Sequence, residues 1–265
     1  MTNLFTKFIL VAIAISLFSF SSEHDESDAK ALALIKAMYK VNGGWEKLAS
    51  KNDVEFTYVY DNKAKGMDIS TERYIFDDEM SWAEYSRHEV NVMPDKKGTV
   101  KQCLMDGKPM ISLNGEAVTD PQAVGGTAFL RSANYFWFTM MYKLDDPGTV
   151  NKYLGQENIN GINYDKVSLT YDPIAVGKEV NDEYILYFNP KTKLVDIFMF
   201  SLPIMGFNEP VLKMEVEYSV IDGISVQTKR VASFPDEDGN YAPGLVQTTK
   251  DVKFNNKFES SDLHL

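Results

Sequence analysis

Residues suited to catalysis or metal binding are few and scattered in this sequence. The histidines are His24, His88 and His264. His24 follows the N-terminal apolar stretch and His264 is one residue from the C-terminus, so the sequence does not indicate a cluster of imidazole ligands. His88 lies in a strand-like run, where we expect it at the surface. We therefore predict no metal site, and no cofactor is indicated.

Nucleophiles and paired acids give no clearer catalytic pattern. The chain contains no Gly-x-Ser-x-Gly turn that would expose a nucleophilic serine. Segment 236–240 lacks the Asp-x-Asp-x-Asp-Gly spacing of a calcium loop, so we predict a polar hairpin tip there. Paired carboxylates, which a glycosidase needs, fall in predicted loops: Asp77/Asp78, Asp145/Asp146 and Asp236/Asp238. They keep a secreted hydrolase as an alternative, whereas the sequence as a whole predicts a protein that is not an enzyme.

The first 21 residues have the pattern of a secretory signal peptide. Lys7 precedes an uncharged apolar stretch from Phe8 to Phe20, and 19–21 is a small-x-small cleavage site. The stretch is shorter than the about 20 residues that a membrane-spanning helix needs. We predict cleavage after residue 21, a single domain over 22–265, and a periplasmic or secreted location. An uncleaved membrane anchor is the alternative.

Composition and charge narrow the classes of partner. The formal net charge of −11 opposes binding to nucleic acid, which requires a cationic surface. A hydrophobic content of 44% is ample for a core. Cys103 is the single cysteine, so no internal disulfide can form. It lies in a strand-like run, where we expect it to be buried as a small apolar residue.

Most of the chain alternates with the period of two that is typical of antiparallel strands. Asp-Gly and Asn-Gly pairs, such as Asp106-Gly107 and Asn114-Gly115, predict tight hairpins between successive strands. Helical spacing predicts an N-terminal helix over 28–41 and a central helix that begins at Asp120-Pro121. We expect Gly125-Gly126 to divide the central helix into a short lead-in and a main part. The fold class is therefore mainly β (α+β).

Large apolar side chains are unusually dense at the end of the central helix and around one later strand. A helix that is apolar on several sides should contact a second apolar body, and methionine adapts to variable apolar shapes. Ordinary core packing explains any single one of these residues. As a set, they predict the lining of a ligand cavity: Phe136, Trp137, Met140, Met141, Phe198, Phe200, Ile204 and Met205.

Several stretches resemble the LolA/LolB-like superfamily of periplasmic lipoprotein carriers. They are the helix 29–39 followed by the strand 54–60, the hairpin 104–111, the later hairpins 187–195 and 220–224, and the closing strand 252–258. The resemblance implies a strongly curved antiparallel half-open β-barrel of about eleven strands, with an N-terminal helix and a central lid or plug helix. In the family's carrier an arginine on an early strand holds the lid, and by order along the chain Arg73 is the candidate for this latch.

These observations together predict an exported, non-enzymatic carrier or binding protein. Its ligand would be a lipid, an acyl chain or a lipoprotein, held in an apolar cavity enclosed by the sheet. A module that docks onto another envelope protein is the main alternative. We expect a monomer whose partners are lipid or an acylated protein, with no nucleic acid and with at most peripheral contact with a membrane.

Overall fold

The computed structural model describes residues 18–177, 181–236 and 238–265. Within them are four α-helices: α1 (Phe18–Asn42), α2 (Gly44–Ala49), α3 (Pro121–Thr139) and α4 (Pro173–Val176). Three 3-10 turns lie at Met140–Tyr142, Pro203–Met205 and Ser260–Leu263. Most of the predicted signal peptide (residues 1–21) lies outside the described residues. Among the helices described, none combines the length and the apolar character that a bilayer crossing requires.

The strands make up most of the described chain. They are β1 (Asp53–Asn62), β2 (Gly66–Ile75), β3 (Met80–His88), β4 (Val100–Met105), β5 (Lys108–Leu113), β6 (Glu116–Ala117), β7 (Thr149–Ile159), β8 (Ile162–Tyr171), β9 (Tyr184–Phe188), β10 (Val195–Leu202), β11 (Phe207–Ile221), β12 (Ile224–Pro235) and β13 (Tyr241–Phe254).

All of these strands join one antiparallel sheet in the order β6-β5-β4-β3-β2-β1-β13-β12-β11-β10-β9-β8-β7. Pairing of β1 with β13, with Val54 opposite Phe254, brings the first and last strands together at the centre of the sheet. The sheet stays open, because β6 and β7 do not pair with each other. The predicted curved, half-open antiparallel barrel is confirmed, with 13 strands rather than about eleven.

The predicted Asp-Gly hairpins are present between β4 and β5 and between β11 and β12. Both residues of each turn have positive φ: 49° and 69° at Asp106 and Gly107, and 50° and 78° at Asp222 and Gly223. This is the backbone geometry whose twist matches the right-handed twist of the flanking strands. The turn residues therefore fix the register of the sheet locally.

Strand β7 is the long free edge of the sheet. Among the described strands it pairs with β8 alone, and its register shifts between Tyr153 and Gly155, where Gly155 has a φ of 93°. Val150 and Leu154 on this strand are exposed. The register shift is a β-bulge, which bends a strand and increases its twist.

The two faces of the sheet carry separate apolar clusters. On β10, Phe198 and Phe200 pack with α1 and the segment after α3, on the face that we call concave. Ile197 and Met199 point to the opposite, convex face. The concave face also holds a second cluster, in which Phe138 of α3 packs on β1 and β2. The core therefore lies between the concave face and the helices.

Helix α3 begins where the sequence predicts. The Asp120 carboxylate accepts a hydrogen bond from the amide of Ala123 at 2.9 Å, and Pro121 occupies the first turn. The predicted division at Gly125-Gly126 is wrong, because the helix is continuous through both glycines. Each glycine disfavours helix by about 1 kcal/mol relative to alanine, and the cap and the packing of α3 outweigh that cost.

The C-terminal segment covers part of the convex face. Leu263 is fully buried there against Met80, Trp82 and Cys103. The predicted burial of Cys103 is confirmed, and burial raises the pKa of its thiol to about 11. This thiol therefore stays protonated and unreactive in the folded protein at neutral pH.

Asn42 links the end of α1 to the segment that follows α3. Its side-chain amide donates to the carbonyl of Met141 at 2.7 Å, and its side-chain oxygen accepts from the amide of Gly44 at 2.9 Å. Tyr142, in the same segment, donates its hydroxyl to the carbonyl of Ser225 on β12 at 2.7 Å. These bonds set the position of the C-terminal end of α3 inside the barrel.

Replacement of Asn42 by alanine should destabilise the protein measurably. We expect Asn42→Ala to lower the free energy of unfolding by about 2 kcal/mol, because a buried carbonyl and a buried amide lose their partners. Urea unfolding monitored by circular dichroism gives the value, and Asn208→Ala, at an exposed position on β11, is the matched control. Equal stabilities of the two variants would contradict this role of Asn42.

Candidate functional site

Six of the predicted cavity residues come together on the concave face. Met140, Met141, Phe198 and Phe200 are buried in the larger apolar cluster, with Phe136 and Trp137 packed against them. The Trp137 ring stacks on Phe198 at 5.4 Å between ring centroids and meets Phe200 edge to face at 5.2 Å. Residues of α3 and of β10 thus form one aromatic cluster.

The other two predicted residues lie in the turn between β10 and β11. Met205 is 67% exposed and lies outside the cluster. Ile204 belongs to the same 3-10 turn, and its side chain is not among those described. The structure therefore does not bring Met205 to the concave cluster.

Helix α3 itself occupies the space that the sheet encloses. A cavity of about 10 Å³ lies between the helix and the sheet, beside Asn134, Phe138 and Arg230. That volume is at the lower limit for a single water molecule. Another cavity, of about 210 Å³, is lined by Tyr164, Ile197 and Glu215 and includes residues of the convex face. The predicted ligand cavity is therefore not open in this structure, because α1, α3 and the turn Met140–Tyr142 fill the apolar interior.

A fully buried ion pair holds α3 against the sheet. Arg131 projects from the middle of the helix, and its guanidinium makes a two-point contact with the carboxylate of Glu72 on β2. Both side chains are completely inaccessible to solvent. The carboxylate also accepts hydrogen bonds from Ser70 at 2.7 Å and from Tyr74 at 3.1 Å. Arg131 donates a further bond to the hydroxyl of Tyr85 on β3 at 2.7 Å.

The hydrogen bonds continue from the ion pair to the next strand and back to the helix. Tyr85 donates its hydroxyl to Gln102 on β4 at 3.3 Å. The amide of Gln102 donates to the hydroxyl of Thr127 at 2.9 Å, and Thr127 donates to the carbonyl of Ala123 within α3. We call the side chains of Ser70, Glu72, Tyr74, Tyr85, Gln102, Thr127 and Arg131 the α3 network. It connects three strands to two turns of the helix.

Electrostatics keep the buried guanidinium of Arg131 charged. Burial alone would lower the pKa of Arg131, but the Glu72 carboxylate outweighs burial and raises the pKa of the guanidinium above its ordinary value. Burial also raises the pKa values of Tyr74 and Tyr85, so both phenols stay neutral donors. A buried pair with this many partners is stable only while both charged groups are present.

Two buried polar atoms of α3 itself are unsatisfied at its interface with the sheet. Within the described part of the chain, Nε of Arg131 and the hydroxyl of Tyr135 have no hydrogen-bond partner. An unsatisfied buried polar group costs about 1–3 kcal/mol. The observed position of α3 is therefore less favourable than a fully satisfied interface would be.

A second buried arginine contacts the C-terminal end of α3. Arg230 on β12 donates from Nη1 to the carbonyl oxygen of Trp137 at 2.9 Å, and the side-chain amide of Gln227 donates to the same oxygen at 3.3 Å. The guanidinium carbon of Arg230 lies 5.9 Å from the centroid of the Trp137 ring. A strand arginine thus bonds to a carbonyl of the helix that fills the barrel.

Arg73, the predicted latch, lies on the opposite face from α3. Its Nε donates to Glu55 at 2.8 Å, and its guanidinium stacks between the rings of Trp82 and Phe258, 4.6 Å and 4.7 Å from their centroids. Because side chains alternate along a strand, Arg73 points away from the helix to which Glu72 points. Its contacts are with the C-terminal segment on the convex face, which corrects the assignment.

Several of the residues considered for catalysis make structural contacts. The Asp145 carboxylate accepts a hydrogen bond from Tyr39, and the Asp236 carboxylate accepts from the amides of its own hairpin turn. Asp77 lies in the β2–β3 turn and Asp236 in the β12–β13 turn, and these turns are at opposite ends of the strands. His88 is buried rather than at the surface, because its ring contacts carbonyls of the β3–β4 loop. Among the described residues, no group of three or more His, Cys, Asp or Glu side chains is placed to hold a metal ion.

The sequence carried one signal that could have identified the α3 network. Arg131 is the sole charged residue between Pro121 and Tyr142, and a lone charge in such an apolar helix requires a buried partner. Glu72 lies in phase with Ser70 and Tyr74 on β2, which places it on the same face as these residues. The pairing of Arg131 with Glu72 depends on tertiary structure, so no local pattern could have specified it.

Comparison with known proteins supports this architecture. A crystal structure of a DUF1329 family protein from Desulfovibrio piger has 16% sequence identity to this chain and a TM-score of 0.56, over 90% of this chain and 99% of that one. A LolA superfamily protein from Nitrosomonas europaea has 11% identity and a TM-score of 0.51, over 89% of this chain and 97% of that one. These structures share the fold, as the resemblance in sequence implied.

Sequence comparison gives the family. No curated protein matches the chain. The profile of a family of unknown function, DUF6503, matches residues 6–206, which is well over half of the chain. This protein therefore has a LolA-like fold and belongs to the DUF6503 family.

Proposed function

We propose that this protein is an exported, non-enzymatic carrier that binds an acyl chain in the concave side of its half-open barrel, with α3 as a displaceable lid. The acyl chain belongs to a lipid or to an acylated protein. Residues 1–21 act as a cleaved signal peptide, residues 22–265 form the carrier domain, and the protein works in the periplasm or outside the cell. The observation that carries the proposal is that separate helical segments, α1, α3 and the turn after α3, fill the apolar interior of an open sheet.

The contacts of Trp137 indicate where the acyl chain lies. Its ring packs between Phe198 and Phe200 on β10, beside Tyr184 on β9 at 6.2 Å. When α3 moves outward, an acyl chain can enter between these rings and Trp137, so that the chain takes over the contacts of the Trp137 ring with β10 and the ring covers the chain. Burial of an acyl chain contributes about 0.8 kcal/mol of binding free energy for each methylene, so about 15 methylenes contribute on the order of 12 kcal/mol. The cost of ordering the chain and the protein is subtracted from this value.

The attachment of α3 is suited to reversible displacement. The side of the helix that faces β2, β3 and β4 is held by the polar α3 network rather than by apolar packing alone. Two atoms of this interface are unsatisfied, and the exposed Gly125 and Gly126 weaken the first turns of the helix. The α3 network thus fixes one position of the helix in the closed state, while the unsatisfied atoms and the two glycines offset part of the free energy that stabilises this position.

Fluorescence quenching tests the position of the acyl chain. We expect a brominated fatty acid to quench the emission of Trp137, because bromine acts on an indole only at short range. Trp45 packs on Phe76, and Trp82 packs with Arg73 on the convex face, so both lie away from the aromatic cluster. The doubly substituted variant Trp45→Phe/Trp82→Phe should keep the quenching.

The Trp137→Phe variant is the matched control for this measurement, since it retains the other two tryptophans. It should bind the unbrominated fatty acid and lose the quenching. Absence of quenching in the wild-type protein and in the double variant would show that no acyl chain binds next to Trp137, which would refute the proposed site.

Replacement of Glu72 by glutamine should release α3. Glu72→Gln leaves the Arg131 guanidinium buried without a counter-charge, so we expect the free energy of unfolding to fall by about 3 kcal/mol. Amide hydrogen exchange should accelerate in 121–139 more than in the strands. Glu84→Gln is the control, because Glu84 on β3 forms an exposed pair with Lys101, and such pairs contribute less than about 1 kcal/mol. Uniform acceleration over the whole chain would argue that α3 does not move separately.

A further inference from the structure

Arg230 is a buried positive charge without an acidic partner. It is 5% exposed on the concave face of β12. Within the described part of the chain it forms no ion pair, whereas Arg131, the other buried arginine, is paired with Glu72. An uncompensated buried charge costs several kcal/mol. The structure must therefore supply negative potential at this position by another route.

The C-terminal end of α3 supplies that potential in the closed state. The Trp137 carbonyl lies in the last turn of the helix, where carbonyl groups lack helical partners and the helix dipole is negative. Arg230 and Gln227 both donate to this oxygen. The two donors therefore form a site for one partially negative oxygen, which α3 occupies at present.

The surroundings of the guanidinium add neutral polar groups. Tyr58, Asn134, Gln227 and Thr249 line the small cavity beside Arg230. Burial raises the pKa of Tyr58 to about 12, so its phenol does not balance the charge of Arg230. The side-chain oxygens of Gln227 and Gln247 are buried without partners.

We propose that Arg230 and Gln227 bind the anionic headgroup of the ligand, a carboxylate or a phosphate, once α3 has moved away. The inference rests on the proposed function and narrows it to anionic amphiphiles. Trp137 now occupies both parts of this site: its carbonyl bonds to Arg230 and its ring lies against Phe198. A headgroup that replaces the carbonyl and an acyl chain that replaces the ring are thus neighbours, as in a fatty acid or an alkyl phosphate.

Titration calorimetry with three ligands of equal chain length tests the headgroup site. The ligands are dodecanoate, dodecyl phosphate and neutral dodecanol, each below its micellar concentration at neutral pH. The wild-type protein should bind at least one anionic ligand about tenfold or more tightly than dodecanol, the preference expected from a charge-assisted hydrogen bond. The more tightly bound anion distinguishes a carboxylate from a phosphate headgroup.

Substitution of Arg230 should abolish this preference. In Arg230→Gln the ratio of anion to dodecanol affinity should fall to near one, and because the ratio is taken within one variant, a looser α3 changes both affinities alike. Lys229→Gln, at the adjacent position where Lys229 pairs with Glu217 on the surface, should keep the wild-type ratio. If Arg230→Gln does not fold, Arg230→Lys keeps the charge without the planar fork and should keep a reduced preference for anions.

The outcomes separate the two proposals. If the wild-type protein binds all three ligands equally, the carrier function stands and the headgroup site is refuted. If it binds none of them, and Trp137 is not quenched, the carrier function itself fails. An anion preference that survives unchanged in Arg230→Gln, or in Arg230→Lys where only that variant folds, places the headgroup elsewhere.

Discussion

The buried ion pair between Arg131 and Glu72 determines how α3 lies in the half-open barrel. The helix is apolar enough to settle against the concave face in several rotations, and apolar packing alone would distinguish them weakly. The Arg131 guanidinium must contact the Glu72 carboxylate, and Ser70, Tyr74 and Tyr85 add hydrogen bonds to this pair. These contacts can form at only one rotation of α3 and one depth of the helix in the barrel. Such a pair contributes specificity more than stability, since a well-packed apolar substitute often costs nothing.

The contacts at the C-terminal end of the helix depend on that position. With the rotation set by Arg131 and the C-terminal end held by Asn42 and Tyr142, Trp137 reaches β10 with its ring and β12 with its carbonyl. The helix therefore makes two kinds of contact with the sheet. Its apolar surface packs in the aromatic cluster, and the partial negative charge at its C-terminal end contacts Arg230. An amphiphile with an acidic head presents the same two groups, so under the proposed function helix and ligand would compete for one set of contacts.

The fold could be predicted from the sequence because its signals are local. Alternation with a period of two and Asp-Gly turns such as Asp222-Gly223 specify antiparallel hairpins without reference to distant residues. The aromatic cluster was predicted in part, from the density of apolar residues after Phe136. The prediction that Arg73 holds the helix is wrong. Arg73 and Glu72 are adjacent in sequence and therefore point to opposite faces of the sheet, and only the packing of α3 on the sheet shows that Glu72 is the one that contacts the helix.

The free edge at β7 has a consequence for how copies of this protein meet. Unpaired strands invite another chain to add to the sheet and start aggregation. Here the bulge at Gly155 bends the edge out of plane, and Lys152 would bring like charges together if two such edges approached. The opposite edge, β6, offers only Glu116 and Ala117 as a template. Both edges of the open sheet are therefore poor templates for pairing with another chain.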